Sequence, residues 1–124
     1  MFGYNKRKFP RANYPCSLTI WSDHANPQVI MGYTANIGAG GLCAHVTQEL
    51  LVHSALEVRV EFPHQSTPFK CKGKVAHCEH CIDPQGKKFY AVGVEFEPMD
   101  ELRQAYLQGV VSELIAINEK AKKN

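Results

Sequence analysis

The sequence predicts a mainly β fold: a six-stranded antiparallel barrel followed by one C-terminal α-helix. Three observations lead there. Short runs of strand-forming residues recur between residues 16 and 96, separated by turn segments rich in Gly, Pro, Asn and Asp. No helix-length periodic segment interrupts them. After Pro98 the period changes, and apolar residues recur every four positions. Strands joined by short turns pair antiparallel, and closing the sheet on itself removes its exposed edges.

The elements follow in order. Residues 1–13 are expected to form an extended arm, because Pro10 and Pro15 disfavour helix nearby. Residues 16–21 form a first strand, 23–27 a turn and 28–35 a second strand. A glycine-rich turn at 36–41 leads into a short third strand at 42–46. Residues 47–54 connect onward, with room for a single helical turn. The fourth strand, 56–62, alternates apolar and charged residues most cleanly, so one face is buried and one is wet. A turn at 63–68 precedes a strand at 69–76. The tip at 83–87 joins this to a return strand at 89–96. Trp21, Tyr33, Phe62 and Phe96 sit in strand patterns and are expected in the core.

The helix is expected over 99–120. Leu102, Tyr106, Val110 and Leu114 form its apolar stripe, widened by Leu107, Val111, Ile115 and Ile117. Asp100 suits the N-cap. Gly109 costs about 1 kcal/mol relative to Ala, which eight apolar residues outweigh. The helix either closes one end of the barrel or pairs with a second copy, so monomer and homodimer both remain open. No repeat or linker divides the 124 residues. One domain over 1–124 is expected, with arm 1–13, barrel 14–97 and helix 99–120.

Composition narrows the function. With 44% hydrophobic residues the chain falls in the globular class, and its net charge of +2 does not imply DNA binding. Charge is unevenly placed: Lys6, Arg7, Lys8 and Arg11 all precede the first acidic residue, Asp23. That pattern fits a local anion site, or a solvated tail. No secretory h-region and no apolar run near the ~18 residues of a membrane span are visible. Five cysteines without an export signal suit a reducing compartment. A cytoplasmic protein without membrane insertion is expected. No carboxylate pair or activated serine points to catalysis, so an enzyme is not expected.

Three features carry chemistry. Arg7 and Arg11 lie four apart around Phe9 and Pro10. Each guanidinium can fork onto phosphate oxygens or stack on a purine, and proline limits the entropy lost on wrapping a ligand. Second, Asn36-Ile37-Gly38-Ala39-Gly40-Gly41 brings bare backbone between two strands, either as a ligand cradle or as a tight turn. It is not a dinucleotide fingerprint, since Cys43 falls where the third glycine would be. Third, His77-Cys78-Glu79-His80-Cys81 has a C-x-x-C spacing. Cys78 and Cys81, with His77 and His80, could hold zinc, act as a thiol redox pair, or be free side chains near a hairpin tip.

The first two features together resemble the PilZ domain family. Its R-x-x-x-R pair matches Arg7 and Arg11, and its [D/N]-x-S-x-x-G motif matches Asn36, Gly38 and Gly41. Val92-Gly93-Val94-Glu95-Phe96 is similar to the strand that precedes the family's final helix. The resemblance implies a PilZ-type barrel that binds cyclic di-GMP and no other cofactor. It implies that Arg7 and Arg11 grip phosphates and guanines, that Asn36 meets a guanine edge, and that Gly41 allows close backbone approach. Gly38 departs from the family's Ser. One neutral hydrogen bond contributes about 0.5–1.5 kcal/mol, so the resemblance implies binding weakened by about tenfold at most. The function expected is a sensor or adaptor that orders its arm on the nucleotide and signals to an unidentified protein partner. A PilZ-like interaction scaffold that binds no nucleotide, and a zinc or thiol module using Cys78 and Cys81, are the alternatives.

Overall fold

The computed structural model describes residues 9–22 and 28–122. Among these residues, seven strands and one helix follow in order: β1 (Arg11–Ala12), β2 (Ser17–Ser22), β3 (Gln28–Gly38), β4 (Gly41–Val46), β5 (Ala55–Glu61), β6 (Phe69–Ile82), β7 (Lys88–Phe96) and α1 (Glu101–Lys122). The sheet runs β1-β3-β2-β5-β6-β7-β4, and a further β3–β4 pairing closes it. Every pairing is antiparallel. Six strands therefore form a closed barrel, with β1 added alongside β3.

Period-2 alternation builds the interior. Val58 and Val60 on β5, Val75 on β6 and Val92 on β7 are fully buried, and their sequence neighbours face outward. They share one core cluster with Leu107, Val110, Val111 and Leu114 of α1. Burying each such aliphatic side chain stabilises the fold by about 1.5–3 kcal/mol. Thr34 is one of two buried polar residues among those described, and it is satisfied. Its hydroxyl accepts from Cys16 N at 2.9 Å and donates to Tyr14 O at 2.9 Å, tying the segment before β2 onto β3.

The helix packs on its own barrel, against β1 and β3. Asp100 caps it, with Oδ1 accepting from Arg103 N at 2.8 Å. Gln104 Nε2 donates to Ala39 O at 2.8 Å, which pins the β3–β4 turn. Gly40 O accepts from Phe96 N at 3.0 Å on the other side of that turn. Only part of the expected stripe is covered: Leu102, Tyr106 and Ile117 stay exposed.

Three expectations are corrected. The glycine-rich segment is mostly strand. β3 runs through Gly38 and β4 begins at Gly41, because Arg11 and Ala12 pair with Gly38 and Ile37 and extend the ladder. The strand expected to stop at 76 continues to Ile82, so the His-Cys run lies on β6 rather than at the tip. Tyr33 is 62% exposed and Trp21 half-buried, whereas Phe62 and Phe96 are core. Tyr33 pairs with His45 on the outer surface, one residue out of phase with buried Thr34.

Candidate functional site

Two one-residue bulges organise the outer surface. Between β3 and β4 the register passes from Thr34↔Ala44 to Asn36↔Cys43, so Ala35 is extra. Strict alternation would put Asn36 on the same inner face as buried Thr34. The extra residue turns Asn36 outward, and Ile37 becomes the next inward side chain. Between β6 and β7 the register passes from Val75↔Val94 to His77↔Gly93, so Ala76 is extra and His77 faces outward after buried Val75. The pairings Asn36↔Cys43, Cys43↔Gly93 and Gly93↔His77 then form one continuous row across β3, β4, β7 and β6.

Arg11 closes one end of this row. It pairs with Gly38 across β1 and β3. Its Nη1 donates to Asn36 Oδ1 at 2.7 Å, joining residues 25 apart in sequence. The same guanidinium passes over Gly41, where a Cβ would lie 3.4 Å from Nη2 and would collide with the Val94 carbonyl oxygen. Gly41 thus lets β4, β7 and the guanidinium meet. At Gly38 a Cβ would lie 2.8 Å from Pro10 O and 3.0 Å from Arg11 Cγ, so the backbone of the arm occupies that space. Phe9 lies over Gly40, with Cδ2 3.3 Å from where a Cβ would stand.

Phe9, Arg11, Asn36, Gly38 and Gly40 border a cleft of about 500 Å³, within the range of small-ligand sites. Arg11, Asn36 and Gly38 lie on one side, and Cys43, Gly93 and His77 on the other. The guanidinium is a fixed cation with bidentate donors suited to phosphate. Glu95 also borders the cleft, and Lys74 Nζ lies 3.8 Å from its Oε1. Among the described residues no helix is long and apolar enough to cross a membrane.

The family model for the PilZ domain matches residues 5–113. The chain belongs to the PilZ domain family. Among solved structures, this PilZ domain is similar to the PilZ domain with c-di-GMP of YcgR from Escherichia coli, at 16% identity and a TM-score of 0.75, covering 96% of this chain and 99% of that one. It is similar to the K. pneumonia MrkH–c-di-GMP complex, at 14% identity and a TM-score of 0.72, covering 96% of this chain and 55% of that one. It is also similar to the Bacillus subtilis inhibitor of motility MotI/DgrA, at 16% identity and a TM-score of 0.68, covering 93% and 52%. The chain spans about half the length of these last two. Likeness at such identities is one of fold. Comparison with curated proteins gave no match.

In this PilZ domain, Arg11, Asn36, Gly38 and Gly41 meet at one place, and Arg7 lies outside the described residues. The C-x-x-C residues do not converge. On β6 Cys78 and His80 share one face, and His77 and Cys81 the other. No group of three or more His, Cys, Asp or Glu among the described residues is placed to hold a metal. His77 instead enters the PilZ cleft, as do Phe9, Cys43, Gly93 and Glu95, which the sequence reading did not assign there. A signal for His77 was present: Lys70, Lys72 and Lys74 alternate with Cys71, Gly73 and Val75, and the rhythm breaks at Ala76-His77.

Burial sets two thiols apart. Desolvation pushes the Cys71 thiol up from its ordinary 9.0 to about 12; nearby Arg103 lowers it and Glu97 raises it by lesser amounts. Desolvation also raises Cys16, against a hydrogen bond from Thr34.

Proposed function

We propose that this PilZ domain is a cytoplasmic receptor for cyclic di-GMP that passes its occupancy to a partner protein, and that it is not an enzyme. The observation carrying this reading is the 2.7 Å bond between Arg11 and Asn36, which brings the two motifs together beside a cleft. Held by Asn36, the Arg11 guanidinium is oriented before ligand arrives, which lowers the entropy lost on binding. The phosphates of the nucleotide meet this cation, and Arg7 supplies the second guanidinium of the family motif. The bare backbone at Gly38 and Gly41 supports the reading indirectly: it leaves room for Pro10, Arg11 and the Val94 carbonyl, so that Arg11 and Asn36 meet beside the cleft. The partner half of the proposal draws support from β3, which carries exposed Val29, Met31 and Tyr33 on the strand that also carries Asn36.

Calorimetric titration of cyclic di-GMP tests the reading. Wild type binds saturably at micromolar ligand, and Arg7→Ala and Arg11→Ala each bind about tenfold more weakly or worse. Affinity falls as salt rises, because an anion is bound. Absence of binding by wild type, or unchanged heats in both variants, overturns it.

A further inference from the structure

We propose that His77 is the base-stacking residue of this cleft, an aromatic floor on which a purine of the bound nucleotide lies. The inference rests on the cyclic di-GMP reading above and assigns a new residue to the same site.

Three observations carry it. First, the Ala76 bulge reverses the phase of β6, so His77 faces outward instead of following Val75 into the core. Bulges beside binding sites commonly re-aim a side chain in this way. The Ala35 bulge does the same for Asn36 at the other end of the row. Second, the imidazole rests on Gly93. A methyl group on Gly93 would fall within the ring, with Nε2 at 2.8 Å and both Cε1 and Nδ1 closer. The ring therefore lies against the sheet, in space that any larger residue at 93 would fill. Third, the spacing suits a nucleotide. Asn36 and His77 are three strand spacings apart, about 14 Å, with Cys43 and Gly93 between them. A phosphate at Arg11 leaves its base to extend along this row. His77 is exposed, so one face of its ring is open to a ligand. Every base has a π-face, and an aromatic side chain receives it whatever the groups at its edge.

The test is titration of cyclic di-GMP into wild type, His77→Ala, His77→Phe and Arg11→Ala, with thermal melts of each. Stacking predicts that His77→Ala binds about tenfold more weakly while His77→Phe stays within about threefold of wild type. In wild type, the His77 ring proton resonances move upfield on saturation, from the ring current of a stacked purine. Equal affinity of His77→Ala and wild type overturns the proposal. So does His77→Phe as weak as His77→Ala with an unchanged melting temperature, which would mark a polar contact instead. Loss of binding in Arg11→Ala alone sinks the stacking role and keeps the receptor reading, whereas a wild type that does not bind sinks both.

Discussion

Gly38 and Pro10 approach so closely that a Cβ on Gly38 would lie 2.8 Å from the Pro10 carbonyl oxygen. The family's Ser therefore cannot simply be restored. Gly38→Ser adds a hydroxyl contributing about 0.5–1.5 kcal/mol, but it pushes on the segment that holds Arg11. We expect Gly38→Ser to lower the melting temperature and to tighten cyclic di-GMP binding by no more than about threefold. Melting curves and calorimetry on the same preparation check both halves.

Gly41 is constrained from the other strand. A side chain there meets the Val94 carbonyl oxygen, and backbone does not move as a flexible side chain does. Overpacking of this kind costs about 1–3 kcal/mol. Gly41→Ala should unfold at lower denaturant and should also weaken ligand binding, because Arg11 Nη2 passes over the same spot. A variant as stable as wild type would show that β4 and β7 separate freely.

The helix offers opposite changes. Asp100→Ala removes the bond to Arg103 N and should cost about 1 kcal/mol. Gly109 is exposed with open space around it, so Gly109→Ala should add up to about 1 kcal/mol. Thermal melts should move by about 3–5 °C in each direction.

The thiols should separate by reactivity. With its thiol pushed up to about 12, Cys71 is almost wholly neutral at pH 8 and should react with a disulfide reagent only on unfolding. Cys16 should also be slow, and Cys43, Cys78 and Cys81, which are less buried, should be faster. The raised folded value also has a sign for stability. The unfolded thiol ionises near 9 and the folded one near 12, so the folded chain holds more protons between them. This contribution is fully present below pH 9 and is lost as pH rises toward 12. Cys71→Val should lose less stability across that window.

Most of the barrel was legible in the sequence because alternation states which residues are buried. Residues 56–62 alternate without interruption, and β5, at Ala55–Glu61, lies one residue earlier at each end. The helix was legible through its period, with Asp100 marking its start. What escaped were features set by distant pairing. Asn36 and Gly38 read as a glycine turn; the pairing of Asn36 and Ile37 with β4, and of Ile37 and Gly38 with β1, makes that segment strand. The His-Cys run kept a metal or redox reading open beside that of free side chains, because its spacing is suggestive in one dimension. On a strand, positions three apart face opposite ways, and Cys78 and Cys81 part. Tyr33 read as core from its place in a strand pattern, although its phase on β3 puts it outside. Arg11, Asn36 and Gly41 were found by motif; His77 was not, because its place in the cleft follows from a phase break that only the broken alternation before it hints at.

The two bulges give the site an unusual dependence on chain length. Asn36 and His77 face the cleft because Ala35 and Ala76 are each one residue too many for their neighbouring strands. Loss of a single codon at either alanine would leave every ligand-facing residue encoded and would turn one of them into the core. Insertions and deletions, more than exchanges of one residue for another, are thus the economical way to dismantle or rebuild this cleft.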